Sequence, residues 1–135
     1  MKKRVLIIDD EPDVVAYLQT VLEANDYEVR HIGDALQGLD NVREFKPDLI
    51  CLDIMMPRET GLSFYQRLRR HKKFERIPVM IISGASPDGE FDVKSFVTDE
   101  NISPPDYYME KPIDVDNFID QVEKLIASGA SAKSG

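Results

Sequence analysis

The chain has 135 residues, 42% of them apolar and 31% charged, which is the balance of one soluble globular domain able to bury a core. Its formal charge of −8 excludes a nucleic-acid groove within these residues, because phosphate binding needs a basic patch. The single cysteine, Cys51, permits no internal disulfide, and the apolar run from Val5 to Ile8 is too short to export the chain or to span a membrane. A cytoplasmic location with no membrane partner is the expectation.

Val5-Leu6-Ile7-Ile8 is β-branched and apolar and predicts a buried strand. Asp9-Asp10-Glu11-Pro12 follows, with Pro12 suited to the first turn of a helix and carboxylates favoured near its amino end. Val14, Leu18, Val21 and Leu22 recur at helical spacing, and Asn25-Asp26 closes that helix. Glu28 to Ile32 predicts a second strand, in which His31 reads as a turn residue at the strand end. Gly33-Asp34 makes a turn and cap before a helical stripe of Ala35, Leu39 and Val42, which Lys46-Pro47 stops.

Leu49 to Leu52 is a continuous apolar run, bounded by Lys46-Pro47-Asp48 and Pro57, and predicts a strand buried on both faces with Asp53 at its carboxyl end. Cys51 lies inside it and reads as a small buried hydrophobe. A third helix opens at Gly61 with Leu62, Tyr65 and Leu68, and its basic end, Arg67 to Lys73 with His71, reads as a solvated face. Val79 to Ile82 predicts a fourth strand ending at Ser83-Gly84. Phe91, Phe96 and Val97 mark a weak fourth helix that cannot continue through Pro104-Pro105. Tyr107-Tyr108-Met109 is a short fifth strand leading to Lys111-Pro112, and Asp114 caps a last helix with the stripe Phe118, Ile119, Val122, Leu125 and Ile126. From Ser128 the residues are small and polar, so 128–135 is expected to be a flexible tail or the start of a linker.

Five alternations of strand and helix predict a parallel sheet with helices on both faces. In such a sheet the carboxyl ends of the strands share one edge, where ligands bind. Asp9 and Asp10, Asp53, Ser83 and Lys111 each follow a different strand, so the topology gathers them. Three carboxylates in one crevice repel one another unless positive charge is supplied. Magnesium suits that need, since it accepts one or two carboxylates, keeps waters and leaves room for a phosphate oxygen. Lys111 adds a movable point charge and Ser83 a hydroxyl, and an aspartate so placed can act as a nucleophile towards phosphorus.

On Asp9-Asp10, Leu52-Asp53-Ile54-Met55-Met56-Pro57, Ser83-Gly84, Tyr108 and Lys111-Pro112, taken in this order at consecutive strand ends, the chain resembles the receiver domains of two-component response regulators over residues 4 to 127. The resemblance implies a flavodoxin-like doubly wound α/β fold with five parallel strands in the order 2-1-3-4-5, and a receiver domain at 1–127. It further implies that Asp53 is the phosphoacceptor, that Asp9, Asp10, Asp53 and the main-chain carbonyl of Met55 hold Mg2+, and that Ser83 and Lys111 bind phosphoryl oxygens. Ser83 and Tyr108 would form the switch, and Lys111-Pro112 a cis peptide. The phosphodonor would be a sensor histidine kinase or a phosphotransfer protein. Its output would be an unidentified partner or domain, or a phosphorylation-dependent homodimer. The chain would not be an enzyme beyond its own phosphorylation and slow dephosphorylation, as Met55 and Ala85 offer no strong hydrogen-bonding side chain to align a water.

Two alternatives remain at this point. A phosphate-independent pseudo-receiver is disfavoured because no expected site residue is missing. An aspartyl-phosphate phosphohydrolase is disfavoured because such enzymes commonly place a second Asp two residues after the nucleophile, where this chain has Met55. The interval from Thr98 to Asp106 is longer than the family's usual small-residue turn, and it borders the surface the family uses for output.

Overall fold

Three short apolar runs and two more polar flanking segments become the strands β1 (Arg4–Ile8), β2 (Glu28–Ile32), β3 (Leu49–Leu52), β4 (Val79–Gly84) and β5 (Tyr107–Lys111). All neighbours pair in parallel, in the order β2-β1-β3-β4-β5. The structure, a computed structural model, describes residues 2–53, 61–84 and 102–134. The expected fourth helix at Phe91, Phe96 and Val97 lies outside the described residues, as does Met55. The described helices are α1 (Pro12–Ala24), α2 (Gly38–Phe45), α3 (Gly61–Arg70) and α4 (Val115–Ser134), with a 3-10 turn at Ala35–Gln37 before α2. No helix among the described residues is long and apolar enough to cross a membrane.

Alternation along the strands divides the core in two, as a doubly wound sheet requires. Leu6, Ile8, Ile50, Leu52, Val79 and Ile81 face Val42, Phe45, Phe64, Tyr65 and Leu68 of α2 and α3. Val5, Ile7, Leu49, Cys51, Met80 and Ile82 face Val15, Leu18 and Leu22 of α1 and Phe118, Val122 and Ile126 of α4. The central strands are shielded on both sides, which is why they carry apolar residues without interruption rather than at every second position.

Helix ends follow from local chemistry. Asp34 accepts from Leu36 N at 2.9 Å, and Asp114 accepts from Asp116 N and Asn117 N at 3.0 and 3.3 Å, so both carboxylates cap turns as their positions predict. Asp26 (φ 72°) and Lys46 (φ 55°) take left-handed backbone at the ends of α1 and α2, where glycine is the usual residue. Lys111-Pro112 is cis.

Three expectations need correction or extension. Arg69, within the supposed solvated basic face, is only 9% exposed. Its guanidinium donates to Tyr65 Oη at 3.0 Å, Glu75 O at 3.0 Å, Ile77 O at 2.6 Å and Asp106 Oδ2 at 2.9 Å, tying α3 to the entries of β4 and β5. His71 is half-buried and stacks on Phe74 with ring centroids 4.3 Å apart, rather than standing in solvent. At the C-terminal end α4 continues through Ser134, past Ser128 where composition suggested a tail. Gly129 lets that helix close on the body, since a Cβ there would lie 2.9 Å from Pro78 Cγ.

Candidate functional site

Strand register assembles the site. Ile8 pairs with Leu52, so Asp9 and Asp53 leave adjacent strands at the same level. Asp9 N donates to Ile32 O at 3.1 Å and Asp53 N to Ile8 O at 2.9 Å, so the ladder continues through both aspartates and fixes their backbones. Glu11 N then donates to Asp9 Oδ1 at 2.9 Å, which orients that carboxylate as the chain turns into α1.

Asp9 and Asp53 are each 2% exposed, whereas Asp10 is exposed. One carboxylate oxygen from each of the three lies within 4.8 Å of the others. Lys111, at the end of β5, brings its ammonium to 2.9 Å from Glu11 Oε1, 3.4 Å from Asp9 Oδ2 and 3.7 Å from Asp53 Oδ2. Burial raises the Asp9 pKa above the ordinary carboxylate value, against the lowering effects of the Glu11 N–H and of Lys111. The Lys111 ammonium is affected by burial first, which disfavours its charge, but the Glu11 hydrogen bond and the charges of Asp9 and Asp53 outweigh it and raise its pKa.

These donors are all oxygens, two of them on buried carboxylates, and one ammonium does not balance the cluster. A hard divalent cation of the magnesium type fits that set, and the open side towards Asp10 leaves room for water ligands.

Ser83 is 1% exposed and its hydroxyl donates to Gly84 O at 3.3 Å. Alternation puts Ser83 on the same sheet face as Val79 and Ile81, and Tyr108 on the adjacent strand packs against that same core. Tyr108 is half-buried with its hydroxyl oxygen shielded from water, so it does not begin out in solvent. Burial, with the Glu110 charge second, raises its pKa. The Met55 carbonyl expected among the metal ligands lies outside the described residues.

Two neighbours of the site went unassigned in the sequence. In sequence Glu11 is only part of an acidic helix start, yet it is the nearest partner of Lys111. His31, read as a turn residue, belongs to β2, and its Nε2 sits 3.0 Å from Asp9 O, bracing the loop that carries Asp9. Neither role has a local signal, since both partners come from other strands. Cys51 faces the apolar core, and burial followed by the Asp9 charge pushes its thiol up to about 12.

Comparison with known proteins agrees with this arrangement. The response regulator receiver domain family matches residues 5–123. The chain is 34% identical over 123 residues to the DNA-binding dual master transcriptional regulator RpaA of Synechocystis sp., covering 91% of this chain and 48% of that protein. It thus spans about half the length of that relative, and 37% of the alkaline phosphatase synthesis transcriptional regulatory protein PhoP of Bacillus subtilis, at 36% identity over 68% of this chain. Against the polar-differentiation response regulator DivK of Brucella anthropi it is 29% identical over 93% of this chain and 98% of that one. Among solved structures, a CheY-like response regulator receiver domain protein from Methanospirillum hungatei superimposes with a TM-score of 0.80 over 100% of both chains at 23% identity, a likeness of fold. With the sheet order, the strand-end acidic cluster and the family match in agreement, this chain belongs to the response regulator receiver domains of two-component systems.

Proposed function

We propose that Asp53 is the phosphoacceptor of a two-component phosphorelay. The observation that carries this reading is the grouping of the Asp9, Asp10 and Asp53 carboxylates within 4.8 Å, with the Lys111 ammonium 3.7 Å from Asp53. A carboxylate oxygen of Asp53 attacks phosphorus, an O–P bond forms, and the P–N bond to the donor's histidine breaks as the imidazole leaves. The chain's contribution is positioning and charge balance, which is most of what phosphoryl transfer asks of a protein. Asp9, Asp10 and Asp53, with the main-chain carbonyl of Met55, would hold magnesium. Once bound, that ion would neutralise phosphoryl oxygens and draw them towards Asp53.

Lys111 and Ser83 take the remaining phosphoryl oxygens. The charge gained at Asp53 draws the Ser83 hydroxyl away from Gly84 O, and the cavity this opens favours a deeper setting of Tyr108, which shares that sheet face. The phosphodonor is a sensor histidine kinase or phosphotransfer protein, met in the cytoplasm. The output surface lies around β5 and the start of α4 and serves a protein partner, a following domain or a second copy. At −8 this chain is not itself a nucleic-acid contact. The receiver unit takes residues 1–127, and α4 runs on beyond it through Ser134.

Intact-mass measurement with magnesium and acetyl phosphate tests the chemistry. One phosphoryl group is expected on the wild type and none on Asp53→Asn; equal labelling of the two would refute the assignment. The switch is tested by Tyr108 ring signals with and without beryllofluoride. Ser83→Ala should retain labelling and lose most of that response.

A further inference from the structure

We propose that Glu11 is a releasable latch on Lys111, holding the ammonium before phosphorylation and giving it up when a phosphoryl oxygen arrives. This rests on the reading of Asp53 as phosphoacceptor. The Lys111 ammonium donates to Glu11 Oε1 at 2.9 Å and to Asp9 Oδ2 at 3.4 Å, while Asp53 Oδ2 stands at 3.7 Å, an ion pair beyond hydrogen-bond length. A phosphoryl group on Asp53 replaces that carboxylate with a more negative group, and it draws the ammonium towards Asp53 and away from one of its two present partners.

Exposure decides which. The Asp9 side chain is 3% exposed, and a buried carboxylate deserted by its cation is costly. Glu11 is 58% exposed, so water replaces Lys111 there at little cost. Glu11 also occupies the N-cap of α1 without making a side-chain cap hydrogen bond. Its backbone N–H is committed to Asp9 Oδ1 and its carboxylate to Lys111, so the residue serves the site on both counts.

A contact made only in the unphosphorylated state favours that state by its own strength. An ion pair exposed at one end is a modest weight, so removing it should tighten beryllofluoride binding, in the presence of magnesium, by about two- to five-fold. The rate of labelling by acetyl phosphate should rise in the same range.

The experiment uses the whole chain as wild type, Glu11→Gln, Glu11→Ala and Asp13→Asn. Asp13 sits in the first turn of the same helix and carries the same charge, so Asp13→Asn reports what a general loss of negative charge does to an anionic probe. Beryllofluoride affinity and the Lys111 side-chain ammonium NMR signal are read for each. The latch predicts tighter binding in both Glu11 variants, little change in Asp13→Asn, and a shifted Lys111 signal in the Glu11 variants before any probe is added. An unmoved Lys111 signal, or an Asp13→Asn effect as large as that of Glu11→Gln, would overturn it. If Lys111 responds but the wild type neither binds the mimic nor gains a phosphoryl group, the phosphoacceptor reading fails first. With no phosphoryl oxygen to release it, the latch then falls as a switch.

Discussion

Replacing Asp53 by Asn should make the protein more stable when no divalent ion is present. Taking charges at an effective dielectric constant near 20, repulsion from Asp9 at up to 4.8 Å costs about 3.5 kcal/mol, and attraction to Lys111 at 3.7 Å returns about 4.5 kcal/mol. Asp10 is exposed, and at the dielectric of water its repulsion at the same distance is only about 1 kcal/mol. These pairwise effects nearly cancel, so the outcome is decided by the penalty for burying a carboxylate that is 1% exposed. That penalty is several kcal/mol for a bare ion, and hydrogen bonding offsets part of it, which leaves a gain of about 2 kcal/mol for the neutral amide. Urea unfolding in EDTA would measure it as a higher midpoint with an unchanged slope. Magnesium at ten times its dissociation constant should then stabilise the wild type by about 1.4 kcal/mol and the variant by much less. An Asp53→Asn protein less stable than wild type in EDTA would refute the reasoning, because Asp53 would then be held by more favourable partners than the cluster supplies.

Further outcomes follow from other parts of the fold. Arg69→Met removes hydrogen bonds to Tyr65, Glu75 and Ile77 and an ion pair to Asp106, whose 41% exposed side chain keeps its bond from Val79 N; a loss of about 3 kcal/mol is expected in urea unfolding. Arg70→Ala, at the adjacent arginine that is exposed, should stay within about 0.5 kcal/mol, and equal losses would refute the distinction. Lys46→Gly should raise stability by about 0.5–1 kcal/mol in thermal unfolding, since Lys46 holds φ 55° and ψ 61°. Cys51, 1% exposed with its thiol pushed up to about 12, should resist iodoacetamide at neutral pH until urea unfolds the chain. Modification of the native protein at the rate of a free thiol would contradict that burial.

The sequence by itself determined the strands and most helices, because their signals are local. Leu49 to Leu52 can bury both faces only in a covered sheet, and Val14, Leu18 and Leu22 can line one side only in a helix. It also determined which polar residues stand at strand ends, and the order of the motifs then pointed to the family. What tertiary structure alone decided is the environment of each charge. Arg67, Arg69 and Arg70 are alike in sequence, yet Arg69 is buried because Asp106, 37 residues away, enters β5 beside it. Glu11 and Asp13 are both acids at one helix start, yet Glu11 meets Lys111 across 100 residues. His31 reaches Asp9 only because β2 runs beside β1 in a set register. A side chain's polarity is written in its own residue, but its burial and its partners belong to segments that reach it only once the chain has folded.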